Sequence, residues 1–172
     1  MKGIDFDSLT REREGIKESK SKDPKLVWLG NLKFLLQPFG SSSGYPLIVT
    51  NEDFRIEMGE HNNPNFFVTF KSRALWASSS FDLHDKFLAW AGSVGFEPLS
   101  SENLSRVDYC FDYTLAAVDV DENSFVTRST KDSTHRKDGK PETFTFGKGD
   151  VVLRVYDKVS ENQKNKRKRK EI

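Results

Sequence analysis

The chain holds a single cysteine, Cys110, so no disulfide can form within it and no site can be built on several thiolates. No apolar run approaches the ~18 residues that a membrane span needs. The start of the chain is charged and lacks the apolar stretch of a signal peptide. These absences point to a reducing, cytoplasmic setting and to no membrane partner. The three histidines, His61, His84 and His135, include no pair at i+2 or i+4, so zinc and His-pair metal motifs have no support. His84 falls on an expected helix, where histidine is more often structural than a ligand. Gly147-Lys148-Gly149 lacks the rest of a phosphate-binding loop and the helix that should follow it, and reads as a turn. Nothing in the spacing supports a Ser-His-Asp arrangement.

What the chain has in plenty is charge. Charged residues make up 31% and apolar residues 35%, a polar balance for a globular protein. The 172 residues suit one domain with a core of its own. The net charge of +1 conceals an asymmetry: Lys164, Lys166, Arg167, Lys168, Arg169 and Lys170 hold six positive charges, and the rest of the chain carries −5. A basic tail on an acidic body suits an anionic partner reached through the tail, or an acidic pocket that needs cations. A solvated end that only aids solubility explains the charge alone equally well.

Residues 1–24 are polar and read as a frayed or helical lead-in with no burial face. Residues 25–39 place Leu26, Trp28, Leu32, Phe34 and Leu36 at strand spacing. Residues 40–44 form a Gly/Ser turn, and 45–59 read as a hairpin turning at Asn51-Glu52-Asp53. Residues 66–70 are a short β-prone run. Residues 80–94 are the best helix, with Leu83, Phe87, Leu88, Trp90 and Ala91 at a 3.6-residue period and Gly95 to stop it. Residues 104–113 alternate as a strand, 119–130 suit a short helix or loop, and 129–141 read as a polar loop. Residues 143–146 and 151–156 pair as a hairpin around 147–150. No internal repeat is visible. The sum is an α+β fold, an antiparallel sheet with helices mainly on one face.

Two runs could carry chemistry. In Arg106-Val107-Asp108-Tyr109-Cys110-Phe111-Asp112, Asp108 and Asp112 share one face of the expected strand, against strand propensity. They lie roughly 13 Å apart along the axis at ~3.3 Å per residue, too far to hold one ion together unless the strand bends or bulges. The plain alternative is the solvent face of a half-covered sheet. In the second run, Arg154, Tyr156 and Lys158 share a face. A phenol is a poor nucleophile unless its anion is stabilised, and cations one step to either side would do that and also hold a phosphate. Taken alone, the run reads more readily as a surface tyrosine between two solvated cations.

Together the two runs resemble the replication initiation factor family of plasmids, phages and integrative elements, which includes rolling-circle initiators and relaxases. Arg106 to Asp112 matches the family's R-[IVL]-D-x-x-x-D strand at each fixed position. Phe146-Gly147, then Leu153-Arg154-Val155-Tyr156-Asp157-Lys158 and Glu161, match its second signature, a small-residue turn and a strand ending R-[IV]-Y-[DN]-K with an acidic residue after it. Order and spacing agree over roughly residues 26–161. The resemblance implies a nicking domain over 25–161, between a polar segment at 1–24 and a basic tail at 162–172. It implies that Tyr156 attacks a DNA phosphodiester, becomes joined to the 5′ phosphate and leaves a 3′ hydroxyl, helped by Arg154 and Lys158. It implies a Mg²⁺ or Mn²⁺ ion that polarises the phosphate, held by carboxylates: Asp108 first, then Asp112, with Glu161 contributing. Hard oxygen ligands suit those ions. Arg106, Lys148, Lys166, Arg167, Lys168 and Arg169 are the expected DNA contacts. The implied partners are single-stranded or cruciform origin DNA, a second copy of the chain, and a helicase or other host replication proteins. Family members usually continue past the tyrosine with further strands, including an R-x-E segment, so the chain reads as a C-terminally truncated member, a fragment or a degenerate relative. If a downstream acidic ligand is required, the alternative is a module that binds DNA without nicking it.

Overall fold

The computed structural model describes residues 4–96, 98, 100–114 and 122–158. The chain divides into two compact units, Met1–Arg106 and Val107–Ile172. Their architecture is α+β, with a five-stranded antiparallel sheet in the first and a three-stranded antiparallel sheet in the second. Among the described residues no helix is long and apolar enough to cross a membrane.

In the first unit, β1 (Lys25–Leu29), β2 (Leu32–Leu36), β3 (Leu47–Thr50), β4 (Phe54–Met58) and β5 (Phe66–Phe70) lie side by side in chain order. Residues 25–39, expected as one strand, are therefore a hairpin. Gly30 and Asn31 form its two-residue loop, with Leu29 opposite Leu32. The alternation runs through the loop unbroken and hid it, although Gly-Asn is a favoured hairpin pair. The hairpin expected at 45–59 is present as β3 and β4, with Leu47 opposite Met58 and Val49 opposite Ile56. Its turn is held by Asn51, whose Oδ1 accepts from the N–H groups of Asp53 at 3.0 Å and Phe54 at 2.8 Å. Alternate positions Phe34, Leu36, Leu47, Val49, Phe54, Ile56 and Met58 are all but fully buried. Each such side chain contributes about 1.5–3 kcal/mol.

The N-terminal segment, expected to lack a burial face, instead forms α1 (Phe6–Glu18), capped by Asp5 Oδ1 accepting from Ser8 N–H at 2.9 Å. Phe6, Leu9 and Ile16 recur at helical spacing and join the sheet residues in one core cluster. Three apolar residues among many charges were enough to make a narrow stripe. A short helix, α2 (Ser72–Ala77), precedes α3 (Ser80–Ser93), which is the helix expected at 80–94. Ser79 caps α3 by accepting from Asp82 N–H at 3.1 Å. Trp90 of α3 is buried against Phe34 at 5.1 Å between ring centroids, and its Nε1–H donates to the Leu29 carbonyl at 2.9 Å.

In the second unit, β6 (Asp132–Lys137), β7 (Lys140–Phe146) and β8 (Leu153–Tyr156) form a meander with β7 in the middle. The hairpin expected around 147–150 is present, pairing Thr143 with Tyr156 and Phe146 with Leu153. The polar loop expected at 129–141 is instead the β6–β7 hairpin. Asp138 and Gly139 turn it with φ of 49° and 78°. Two left-handed residues make a type I′ loop, whose twist matches that of the flanking strands. The polarity of Asp132-Ser133-Thr134-His135-Arg136-Lys137 hid this strand. On one face of the meander, Phe125 packs at a tilt against Phe144 and Phe146, with centroids 4.8 and 5.1 Å apart, and Phe144 is buried. Glu122–Ser124, within the expected helix or loop, form one 3₁₀ turn.

The strand expected at 104–113 does not form. Residues 101–114 contain no helix or strand and are exposed throughout. The segment has the alternation of a strand but pairs with no strand among the described residues, and its aromatics Tyr109, Phe111 and Tyr113 face solvent.

Candidate active site

The second unit places a tyrosine on an open polar surface. Pairing across the meander aligns His135 with Thr143 and Thr143 with Tyr156. One row along, Ser133, Thr145 and Arg154 align in the same way. Side chains directly opposite across strands, or two apart along one, share a face. Arg154, Tyr156, Thr143, Thr145, Ser133 and His135 therefore occupy one face, while Phe144, Phe146, Leu153 and Val155 occupy the other, under Phe125. Tyr156 is 42% exposed. Its position follows from parity: buried Phe144 fixes which side of β7 is covered, and the Thr143–Tyr156 register places the phenol opposite.

The centre of this polar face carries the small hydroxyl residues Thr143 and Thr145 of β7, flanked by Ser133 and His135 on β6 and by Arg154 and Tyr156 on β8. Arg154 and Tyr156 thus lie on one side of the β7 threonines and His135 on the other. A β-bulge at His135/Arg136 leaves Glu142 as the extra residue of β7. Its Oε2 lies 3.9 Å from His135 Nε2.

The two sequence runs meet at one contact. Lys158 Nζ, just past β8, donates to Asp112 Oδ2 at 2.5 Å across 46 residues of sequence. That hydrogen bond raises the Lys158 pKa above its ordinary 10.5. Desolvation opposes the rise, and the charges of Asp112, Tyr156 and Cys110 add to it. Lys158 is thus in electrostatic range of the Tyr156 phenol.

Of the expected carboxylates, Asp112 reaches the site. Asp108 lies four residues upstream on the exposed segment, and Glu161 lies outside the described residues. Arg106 is exposed at the end of the first unit. Lys166, Arg167, Lys168 and Arg169 also lie outside the described residues. Lys148 lines a depression of about 450 Å³ together with Arg128 and Lys131 and the residues Ser129, Thr130, Gly147 and Val151. Three cations and two hydroxyls in one depression suit a phosphate group. Arg128, Lys131 and His135 are the residues that sequence reasoning missed. The Asp-Gly pair at 138–139 was the available signal, because a hairpin there puts His135 in line with the middle strand.

A divalent ion fits the described residues poorly. Among them no three His, Cys, Asp or Glu side chains converge, and Asp112 is already engaged by Lys158. The chain matches no family model, no curated protein and no solved structure.

Proposed function

We propose that the second unit is a DNA strand-transfer domain of the rolling-circle initiator or relaxase kind, with Tyr156 as nucleophile and single-stranded DNA as substrate. The observation that carries this reading is the Lys158–Asp112 hydrogen bond. It draws the two runs to one place, beside a tyrosine on an open polar face. The Tyr156 oxygen attacks the scissile phosphorus, the P–O3′ bond breaks, and the DNA is held as a 5′-phosphotyrosyl ester. The ester conserves the bond's free energy, so the strand can be rejoined. Arg154 and Lys158 meet the charge that develops on the phosphate. The depression at Arg128, Lys131 and Lys148 holds a neighbouring backbone phosphate, an attraction that weakens with salt.

The test is incubation with randomised, 3′-labelled single-stranded DNA, with and without Mn²⁺, followed by denaturing electrophoresis. A covalent adduct is expected from the native chain and none from Tyr156→Phe. An adduct that persists in Tyr156→Phe would refute the assignment. The scarcity of converging metal ligands favours one second reading, a module that binds DNA without cutting it. Salt-sensitive binding with no adduct supports that reading, and the absence of both removes DNA as the partner.

A further inference from the structure

We infer that His135 is the general acid of the strand-transfer step, protonating the departing 3′ oxygen from across β7, opposite Tyr156. This rests on the function proposed above. Displacement at phosphorus is in line, so the group that assists departure must face the nucleophile across the phosphate. The cross-strand row meets that requirement. His135 and Tyr156 both pair with Thr143, on opposite edges of β7. Two strand spacings separate their backbones by about 9.6 Å. A near-attack approach of about 3.3 Å, one P–O bond and a hydrogen bond of about 2.8 Å to the leaving oxygen span roughly 8 Å. A modest lean of the two side chains toward each other closes the difference. The short side chain of Thr143 between them leaves room for the phosphate.

The remaining polar groups are consistent with this role. Glu142 Oε2 sits 3.9 Å from His135 Nε2, which leaves Nδ1 for a substrate oxygen. The His135 side chain is 69% exposed, so water and substrate can both reach the ring. The step balances as follows. The phenol proton passes to water and the O–P bond forms. The electron pair of the P–O3′ bond goes to the 3′ oxygen. The imidazolium proton completes the 3′ hydroxyl.

A leaving group that needs no proton isolates this role. The sequence cut by the native chain is prepared with its natural scissile linkage and with sulfur replacing the 3′ bridging oxygen. His135→Ala is expected to slow adduct formation on the natural linkage by about 10²–10⁴-fold. On the 3′-thio linkage it is expected to run at a rate comparable to the native chain. His135→Gln, which keeps a polar side chain but has no titrating proton, should behave in the same way. Native rates on both linkages in His135→Ala would overturn the inference and leave Tyr156 as nucleophile intact. Equal losses on both linkages would also overturn it, because a binding or structural role does not distinguish oxygen from sulfur. No adduct from the native chain on any linkage would overturn the underlying function and this inference with it.

Discussion

Trp90→Phe tests the core that organises the first unit. Trp90 is 4% exposed, and its indole N–H donates to the Leu29 carbonyl at 2.9 Å. The ring also lies within 6.0 Å, centroid to centroid, of Phe34, Phe87 and Phe96. Phenylalanine keeps the aromatic packing but removes the donor and part of the ring. Loss of a buried hydrogen bond costs about 1 kcal/mol, and more when the acceptor is left without a partner. The void beside the smaller ring adds about 1–2 kcal/mol. The total is about 2–3 kcal/mol. With a urea slope of about 1.5 kcal/mol/M, the unfolding midpoint should fall by about 1.5 M at unchanged slope. Far-UV circular dichroism in urea measures this. Trp76→Phe is the control: Trp76 is 75% exposed, and its replacement should stay within about 0.5 kcal/mol of the native chain. Equal midpoints for Trp90→Phe and Trp76→Phe would refute the reasoning, because the indole bond and its burial would then contribute nothing.

Two further outcomes bear on the second unit. Gly147→Ala meets a double obstacle: a φ of 94°, and a Cβ that would fall 2.5 Å from the Val151 carbonyl oxygen. It should destabilise the β7–β8 hairpin by about 1–3 kcal/mol, seen as faster amide exchange at β8, and DNA adduct formation should fall with it. The Lys158–Asp112 pair gives a pH signature. The folded pKa of Lys158 is raised above 10.5, so the pair's contribution is fully present below that value and is lost as pH rises through the raised pKa. Nitrogen NMR of the Lys158 side chain should report the raised titration, and Asp112→Asn should lower it toward 10.5. No change in Asp112→Asn would mean that the pair does not form in solution.

Much of the first unit was legible because its signals are local. The Asn51-Glu52-Asp53 turn, the Phe66–Phe70 run and the α3 periodicity each lie within a few residues. The Gly30-Asn31 loop was equally local, but the apolar spacing on both sides of it read as one strand. α1 was obscured because only three apolar side chains mark its stripe among charges. In the second unit the pattern misled in both directions. Residues 104–113 alternate like a strand yet form none, while polar residues 132–137 do, because a type I′ loop folds them onto β7.

The sequence by itself determined the residue types that could do chemistry and the order in which they occur. Cys110 stands alone, the carboxylates of Asp108 and Asp112 precede the basic run around Tyr156, and alternation puts Arg154 and Tyr156 on one side. Such features depend on spacing along a single strand, which a linear pattern contains. Tertiary structure alone decided which of those residues meet. It selected Asp112 as the partner of Lys158, set the phenol on the face opposite Phe144, and brought His135 into line with Tyr156 across Thr143. The Lys158–Asp112 contact joins segments 46 residues apart, and the other two outcomes depend on strand register and on which face an aromatic covers, which a linear pattern does not contain.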